Sequence, residues 1–481
     1  MKPPASHPVL SPAEARAWEE AFFAGDESAE WAAMRRAGRA VGEAVLRDSL
    51  EAGGFPEAGR LLVLVGKGHN GGDALIAAQT ILEARAGATA DVVFAFGSRG
   101  LRPLAARAWR DLAYAARDRL RVTDGPQGDY DAALDGVFGF QFRPPAEPRI
   151  VALLEAVNAA PVRFRAAVDL PSAGVFRADF TYATGSVKSP VMEGTTAGRV
   201  RYLDLGFFRG DESGAHRVLL ADNLAPLAGL RAAATDKRSF GHVFVIGGSA
   251  SFPGSVLLST LAALKSGVGL VTAFVPEPLV PAFAARAPEA MWVGWPQTPS
   301  GGLALEGEHL LRAKLPRADA LVIGPGLGRE PETLALVRSI VASSPVPLVL
   351  DADALVPEVV AAARQPFILT PHAGELARIG GFSAVPGHGV LVAKGPATRI
   401  LHGGITYETC CGGPVLARGG SGDLLAGLIG GLLAQAPRDA LGAACRGVLW
   451  QGAAADRLAR ARGQHAVRIS ELLEYLYPIS G

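Results

Sequence analysis

Residues 61–96, LLVLVGKGHNGGDALIAAQTILEARAGATADVVFAF, decide the fold class of this 481-residue chain. The apolar run 61–65 has the length of a buried strand, a glycine-rich turn follows it, and the alanine-rich stretch 73–87 has the length of a helix. A second apolar run, 91–96, completes a strand–helix–strand unit. This alternation predicts parallel strands joined by crossover helices.

The alternation continues on both sides of an irregular segment, residues 207–240, which carries charge and alanine but no clear strand. Before it we expect strands at DGVFGF (135–140) and RAAVDLPS (165–172). After it we expect strands at HVFVIGG, GLVTAFVP, ALVIGPGLG, PLVLDADAL, PFILTPHAGE and GVLVAKGP. The sequence therefore predicts two α/β domains, residues 1–212 and residues 218–481.

Composition excludes several classes of protein. The chain has 47 Lys and Arg against 46 Asp and Glu, so we expect no binding to nucleic acid or to a membrane surface. The longest stretch without these four residue types, 241–264, is interrupted by glycine and proline and does not read as a membrane span. The 3 cysteines supply neither a disulfide framework nor a zinc cluster, and a reducing, cytoplasmic location fits best.

The glycine-rich loop after the first strand, residues 66–71, matches the pattern GxGxxG that is typical of NAD-binding Rossmann domains. Asp91 stands at about the spacing of the ribose-binding acid, but it begins the next expected strand, whereas that acid should follow the strand. The loop does not match a nucleoside-triphosphate loop either, because Gly72 and Asp73 occupy the positions of lysine and serine or threonine. The alternative is a turn that only lets helix and strand pack closely.

Four motifs in the first half carry a family resemblance: HNGGDALIAAQ (69–79), LDGVFGFQF (134–142), AAVDLPS (166–172) and ADFTYATGSVKSP (178–190). In this order they resemble the NAD(P)H-hydrate epimerase family over about residues 9–208. The resemblance implies a Rossmann-like domain whose catalytic base is Asp169. Burial at the end of an apolar strand can tune the pKa of such a carboxylate.

The same resemblance implies a potassium ion held by Asn70, Asp135 and Ser172. It implies that the substrate contacts the catalytic Asp169 together with two stretches of the chain, namely His69, Asn70, Gly71, Gly72 and Asp73, and Gly139, Phe140, Gln141, Phe142 and Arg143. The chain departs from the family pattern at His69, Ala74 and Ala173, and the loop before ADFTY is short. Every type of metal ligand is kept, so we expect epimerase activity, with a purely structural first domain as the alternative.

In the second half, the glycine-rich stretch 419–422 and Asp423 precede an apolar helix. Backbone N–H groups at a helix N-terminus can bind phosphate oxygens, and the helix dipole favours the anion. A carboxylate beside them can take a proton from a substrate hydroxyl as a phosphoryl group arrives. The sequence GSGD at this place resembles the anion hole of the ribokinase superfamily, and the alternative is an ordinary glycine-rich helix start.

Further polar clusters extend the resemblance: GGS (247–249) with Gly254 and Ser255, GPGLG (324–328), DADAL (351–355), TPHAGE (370–375), and Lys394 and Gly395 with Thr398. Together they resemble the ADP-dependent NAD(P)H-hydrate dehydratase family over about residues 237–435, which implies a ribokinase-like α/β domain. In that family the position of Ser255 is alanine and that of Arg418 is threonine. Asp351 and Asp353 either contact magnesium through water or cap the strand end.

The resemblance implies roles for residues of the second half. Asp423 would be the catalytic base, and the hydrated nicotinamide ring would contact Ser255, Gly326, His372 and Asp423. The phosphoryl donor ADP would be bound by Lys394, Gly395, Pro396, Ala397, Thr398 and Gly422. Mg²⁺ would balance the charge of the nucleotide.

The sequence therefore predicts an enzyme that repairs hydrated NADH and NADPH, with small-molecule partners and a homo-oligomeric state. The first half would interconvert the R and S epimers, and the second half would dehydrate the S epimer with ADP. Two alternatives stay open here. One is a dehydratase whose first domain only binds a nucleotide or stabilises an oligomer, and the other is a small-molecule kinase of the ribokinase superfamily.

Overall fold

The structure is a computed structural model that describes residues 3–385 and 387–477, and its contacts divide the chain into two compact units. The first unit comprises residues 7–214 together with residues 459–464. The second unit comprises the other described residues. Among the residues described, no helix is both long enough and apolar enough to cross a membrane.

The first unit is built on a parallel sheet. Its strands are β1 (Ser6–Leu10), β2 (Arg60–Val65), β3 (Thr89–Phe94), β4 (Leu120–Val122), β5 (Ala132–Gly136), β6 (Arg165–Val168), β7 (Phe180–Thr184), β8 (Val187–Lys188) and β9 (Arg199–Leu203). Its helices are α1 (Pro12–Phe23), α2 (Glu27–Asp48), α3 (His69–Ala84), α4 (Pro103–Ala115), α5 (Pro148–Ala159) and α6 (Ser189–Glu193). The sheet has the order β4-β3-β2-β5-β6-β7-β9, and every neighbouring pair in it is parallel.

The central strand β2 explains why this sheet could be predicted. Leu61, Val63 and Val65 pack on one face with α2, α3 and α4. Leu62 and Leu64 pack on the other face with α5. A parallel strand that is buried on both faces is apolar at consecutive positions, and this is the pattern that the sequence shows.

Helix α3 begins at His69, four residues before the start predicted from the sequence. Gly71 and Gly72 lie in its first turn, and Gly72 allows close packing against α2. A Cβ atom on Gly72 would lie 2.6 Å from Sδ of Met34. The loop glycines are therefore part of a helix N-terminus packed onto its neighbours.

A buried ionic cluster joins the end of α2 to the segment 459–464 within the first unit. Asp48 is fully buried, and its Oδ1 lies 3.0 Å from Nε of Arg47 and 2.9 Å from Nη2 of Arg460. Gln464 donates from Nε2 to Oε2 of Glu51 at 2.6 Å. The first unit thus uses side chains from the far end of the sequence to pair its buried carboxylates.

The second unit is also an α/β structure. Its strands are β10 (His216–Leu219), β11 (His242–Ile246), β12 (Leu270–Pro276), β13 (Met291–Trp295), β14 (Ala320–Ile323), β15 (Leu348–Leu350), β16 (Phe367–Leu369), β17 (Gly389–Ala393), β18 (Arg399–His402) and β19 (Ile405–Glu408). Its helices are α7 (Pro253–Lys265), α8 (Val280–Arg286), α9 (Glu308–Arg312), α10 (Pro331–Ser343), α11 (Pro357–Val360), α12 (Ala373–Arg378), α13 (Ser421–Gln435) and α14 (Ala440–Arg462), the last four residues of which belong to the first unit. These strands follow the order β13-β12-β11-β14-β15-β16-β17-β18-β19-β10, and only β18 runs antiparallel to its neighbours.

Both units confirm the predicted α/β class, and two of the expectations about strands were wrong. The segment 207–240 contains the short strand β10. Its first two residues, His216 and Arg217, are polar, so only Val218 and Leu219 form an apolar run. The strand expected at 135–140 lies earlier, because β5 ends at Gly136.

Candidate functional sites

The first unit contains a cavity of about 430 Å³ beyond the carboxyl ends of β2, β5 and β6. The predicted site residues in its lining are His69, Asn70, Asp73, Gly139, Phe140, Gln141, Phe142 and Asp169. Gly71 and Gly72 are buried in the first turn of α3 and do not line the cavity, and Arg143 is exposed outside it. Most of the predicted residues therefore lie around one cavity, whereas Gly71 and Gly72 contribute to the packing of α3.

Asp169 follows β6 with a left-handed backbone, φ 65°, and its side chain is buried. Lys188 donates from Nζ to Oδ1 of Asp169 at 2.5 Å and to the carbonyl oxygen of Thr184 at 3.1 Å. The same ammonium lies 5.1 Å from the centre of the Phe140 ring. A buried carboxylate and ammonium at this distance stabilise each other in the charged form.

Sequence reasoning did not single out Lys188 as a site residue, although it ends the motif ADFTYATGSVKSP. Its side chain is only 2% exposed, and a lysine in that environment requires a counter-charge. A lysine placed shortly after a buried strand was the signal available in the sequence.

Two further carboxyl groups in the lining of this cavity, Asp73 and Glu19, have raised pKa values. Asp73 is 8% exposed and its Oδ1 has no hydrogen-bond partner. Burial raises the pKa of Asp73 well above its usual range, the charges of Asp169 and Glu19 raise it further, and Lys188 opposes them. Burial also raises the pKa of Glu19 to about 7, against the charge of Lys188 and together with those of Asp169 and Glu30. The cavity therefore combines two carboxyl groups of raised pKa with one ion pair.

The three predicted potassium ligands form one connected cluster around Phe138. Ser172 donates from Oγ to Oδ1 of Asp135 at 2.6 Å and from its backbone N–H to Oδ2 at 2.7 Å. The N–H of Phe138 donates to Oγ of Ser172 at 2.9 Å, and Asn70 donates from Nδ2 to the carbonyl oxygen of Phe138 at 2.9 Å. Burial raises the pKa of Asp135 to about 6, although the hydrogen bonds from Ser172 and Val137 oppose it.

The chemistry of this cluster can be compared with that of a metal site. Carboxylate, hydroxyl and amide oxygens are ligands for hard cations such as potassium. Within residues 3–385 and 387–477, no group of three or more His, Cys, Asp or Glu side chains could hold a metal ion. A cation here would therefore depend on a mixed set of oxygen donors.

Asp91 lies away from this cavity, as its position at the start of a strand suggested. Its carboxylate accepts hydrogen bonds from Arg60 at 2.6 Å, from Arg121 at 2.7 Å and from the hydroxyl of Tyr130 at 2.6 Å. These partners occupy Asp91 in a structural ion-pair network. The loop therefore lacks the ribose-binding acid of an NAD-binding Rossmann domain.

In the second unit, the N-terminus of α13 meets a partly buried ion pair. Gly420 adopts φ 92° at the helix start, and no side chain caps the first turn. Lys394 donates from Nζ to Oδ1 of Asp351 at 2.9 Å. A Cβ atom on Gly422 would lie 2.8 Å from that ammonium, so glycine at this position lets Lys394 reach the helix N-terminus. The structure thus places two of the predicted nucleotide-binding residues side by side.

Asp423 lies in the first turn of α13 and is half-buried. Burial raises its pKa to about 6, and the charges of Asp351 and Asp353 act in the same direction, while a hydrogen bond from Ser255 and the charge of Lys394 oppose them. A Cβ atom on Gly326 would lie 3.0 Å from Cβ of Ser255. Asp423, Ser255 and Gly326 are therefore neighbours, and Asp423 is a stronger base than an exposed aspartate.

The other predicted residues of this site lie at the ends of β16 and β17. The ring of His372 caps α12, where Nδ1 accepts hydrogen bonds from the N–H groups of Gly374 at 3.0 Å and of Glu375 at 3.2 Å. The backbone of His372 pairs with that of Lys394. Residues 395–398, the remaining predicted nucleotide ligands, form the turn between β17 and β18.

The two aspartates of the DADAL motif have different partners. Asp351 accepts hydrogen bonds from Lys394 and from the hydroxyl of Thr370, and it lies close enough to Asp423 to influence its pKa. Asp353 accepts from the N–H of Gly328 at 3.0 Å. Asp353 therefore holds a neighbouring loop, and Asp351 is the carboxylate that belongs to the Lys394 cluster.

Comparisons with known proteins match both halves of the chain. The family described as YjeF-related protein N-terminus matches residues 31–193, and the family described as NAD(P)H-hydrate dehydratase matches residues 243–478. The bifunctional NAD(P)H-hydrate repair enzyme Nnr of Gloeobacter violaceus is 36% identical over 500 residues, which cover 94% of this chain and 93% of that protein. The ADP-dependent (S)-NAD(P)H-hydrate dehydratase of Xanthomonas campestris pv. campestris is 37% identical over 245 residues, which cover 47% of this chain and 84% of that protein.

Among solved structures, a ribokinase-like superfamily protein from Enterococcus faecalis V583 is 27% identical, covers 56% of this chain and 96% of its own, and has a TM-score of 0.47. The match to the Gloeobacter protein extends over nearly the full length of both chains, so it includes both units. The predicted family is thereby confirmed. This chain belongs to the family of bifunctional NAD(P)H-hydrate repair enzymes.

Proposed function

We propose that this chain converts hydrated NADH and NADPH back to NADH and NADPH through two reactions. The second unit dehydrates the S hydrate at the expense of ADP, and the first unit interconverts the R and S hydrates. The observation that carries the proposal is the meeting of Asp423, Asp351 and Lys394 at the uncapped N-terminus of α13. This arrangement can bind a phosphate and accept a proton at one place.

The dehydration follows from the chemistry of the hydrate. Hydroxide is a poor leaving group, whereas phosphate is a good one. Transfer of the terminal phosphoryl group of ADP to the hydroxyl leaves AMP. The lone pair of the ring nitrogen then expels orthophosphate, and loss of a proton from the neighbouring ring carbon restores the C=C bond of NADH. The N–H groups of the first turn of α13 would bind the oxygens of the transferred phosphoryl group. Asp423 would take the proton of the attacking hydroxyl, and Lys394 would offset the charge of the phosphate.

Magnesium is proposed here as a partner of the nucleotide. When it is bound with ADP, Mg²⁺ balances the negative charge of the phosphates. Asp351 is the carboxylate that would hold it, directly or through water. Lys394 and Thr370 both donate to Oδ1 of Asp351, whereas both oxygens of Asp353 accept hydrogen bonds, from Gly328 and Arg329. Gly395, Pro396, Ala397 and Thr398 stay predicted contacts of the nucleotide.

The proposal can be tested with purified protein, a mixture of hydrated NADH epimers, ADP and magnesium. We expect complete conversion to NADH, measured by absorbance, with one orthophosphate released for each NADH. A small-molecule kinase would release a stable phosphorylated product and no orthophosphate. A dehydratase with an inactive first unit would consume the S hydrate quickly and the R hydrate only at the spontaneous rate.

We predict that the rate of dehydration falls below about pH 6. The base in this mechanism is the ionised form of Asp423, and the pKa of that carboxyl is raised to about 6. Ionised Asp423 is present above this pH and is lost below it, so the rate should fall about tenfold per pH unit. Initial rates from pH 4.5 to 8 with saturating S hydrate and ADP would measure this, with circular dichroism as the check on folding. A rate that is constant down to pH 5 would contradict the assignment of Asp423.

The first unit is proposed to use potassium, held by Asn70, Asp135 and Ser172. We expect epimerisation to fall about tenfold or more when potassium is replaced by tetramethylammonium, because the buried carboxylate would lose the cation that offsets its charge. The measurement is the interconversion of purified R hydrate without ADP. Dehydration of purified S hydrate, assayed in the same two buffers, is the control. Equal epimerisation in both buffers would remove potassium from the proposal.

Three further expectations stay predictions. The domain limits 1–212 and 218–481 and a homo-oligomeric state can be checked by limited proteolysis and by light scattering. A cytoplasmic location is supported by the low content of cysteine.

A further inference from the structure

The cavity of the first unit holds two aspartates in opposite environments. Oδ1 of Asp169 lies 2.5 Å from the ammonium of Lys188. Asp73 lines the same cavity, is only 8% exposed, and has an oxygen, Oδ1, that finds no hydrogen-bond partner. Both groups are buried, but they differ in their partners: Asp169 is paired with an ammonium, whereas Oδ1 of Asp73 has no hydrogen-bond partner.

The environment of Asp73 favours its neutral form. Three charged groups act on its pKa: Asp169 and Glu19 are negative when ionised, and Lys188 is positive but is already paired with Asp169. Met34 and Ile76 pack nearby against the glycines of α2 and α3 and supply no hydrogen-bond donor. The cavity therefore places Asp73, a carboxyl whose pKa is raised by burial, beside Asp169, a carboxyl that is paired with an ammonium. Such a pair can serve as an acid and a base in one reaction.

We propose that Asp73 is a second catalytic residue of the epimerase site, the acid that acts together with Asp169 as the base. This inference rests on the proposed epimerase function of the first unit. Epimerisation at a carbon that carries both a hydroxyl and the ring nitrogen requires the C–O bond to break and to form again on the opposite face. One group must give a proton to the departing oxygen, and another must take a proton from the arriving water.

The reaction balances in two steps. In the first, the lone pair of the ring nitrogen forms a C=N bond as the C–O bond breaks, and the departing oxygen takes the proton of Asp73 and leaves as water. In the second, a water adds its oxygen to the opposite face, the C=N electrons return to nitrogen, and Asp169 takes the proton of that water. The cycle leaves Asp73 ionised and Asp169 neutral, which is the state that the reverse direction needs. A single pair of carboxyl groups thus serves both directions.

The test uses the full-length protein and purified R hydrate without ADP. We expect Asp73→Asn to lower the rate of epimerisation about 10²-fold or more. Dehydration of S hydrate and the melting temperature should not change, because an amide matches a neutral carboxylic acid in size and charge. The matched control is Asp111→Asn, which makes the same change at an exposed position of α4. The variant Glu19→Gln tests whether Glu19, the other carboxyl of the cavity with a raised pKa, is the acid instead.

A measurement on the unaltered enzyme keeps the inference testable even if Asp73→Asn does not fold. In water labelled with ¹⁸O, each epimerisation should place one solvent oxygen on the hydrate, after correction for exchange without enzyme. Inversion without label would overturn the proposed steps. Normal epimerisation by Asp73→Asn, or loss with Glu19→Gln alone, would overturn the role of Asp73. If the unaltered enzyme does not epimerise R hydrate at all, the proposed function of the first unit fails, and this inference fails with it.

Discussion

Replacement of Asp423 by asparagine is expected to lower the rate of ADP-dependent dehydration about 10²- to 10⁴-fold. The amide keeps the size of the side chain but cannot accept the proton of the substrate hydroxyl. The fold should be retained, because the change removes a carboxylate that lies close to the negative charges of Asp351 and Asp353. The measurement is the initial rate of NADH formation from S hydrate, with ADP affinity determined separately by calorimetry.

Two results would define the role of Asp423 more closely. Asp222→Asn, at an exposed position of the same unit, is the matched control and should keep full turnover. If Asp423→Asn also keeps its turnover, Asp423 is not the base. If it instead loses affinity for ADP at unchanged turnover, the carboxylate belongs to nucleotide binding.

The second large effect is expected for Asp169→Asn, which should lower epimerisation about 10²- to 10⁴-fold and leave dehydration of S hydrate unchanged. The change should also destabilise the first unit by about 3–5 kcal/mol, because it leaves the buried ammonium of Lys188 without its counter-charge. The measurements are the interconversion of R hydrate and thermal unfolding.

A double variant separates catalysis from stability. Asp169→Asn combined with Lys188→Met removes both charges, and we expect it to recover most of the lost stability without recovering epimerisation. Recovery of both would mean that Asp169 only neutralises Lys188. Dehydration of S hydrate serves as the internal control in every sample.

The parts of the fold that could be predicted from the sequence are those in which a short run of neighbouring residues determines the structure. Strand β2 is apolar at every position from 61 to 65 because helices cover both faces of the sheet. The short strand β10 escaped prediction because its pairing with β19, nearly 190 residues later, decides its structure. The prediction for β5 began too late in the sequence, because Ala132 and Ala133 are buried but are only weakly hydrophobic.

In the candidate sites, too, local features could be predicted from the sequence, whereas features that depend on distant residues could not. The glycines around Asp423 and the carboxylate Asp169 could be singled out, since each follows a strand or begins a helix and belongs to a family motif. The pairing of Lys188 with Asp169 and the raised pKa of Asp73 could not, because both depend on which distant elements close the cavity. The burial and the charge state of a side chain depend on the folded chain and cannot be predicted from the residues next to it in the sequence.

The segment 459–464 has a consequence for how the two activities can be inherited. A gene that stopped after residue 214 would encode a first unit without Arg460 and Gln464, and the buried carboxylates of Asp48 and Glu51 would each lose a partner. Gene fission at the boundary would therefore lower the stability of the first unit, whereas the reverse event, gene fusion, would not. As long as the chain keeps this segment, a cell that makes it produces epimerase and dehydratase in a fixed ratio of one to one, whatever its demand for either.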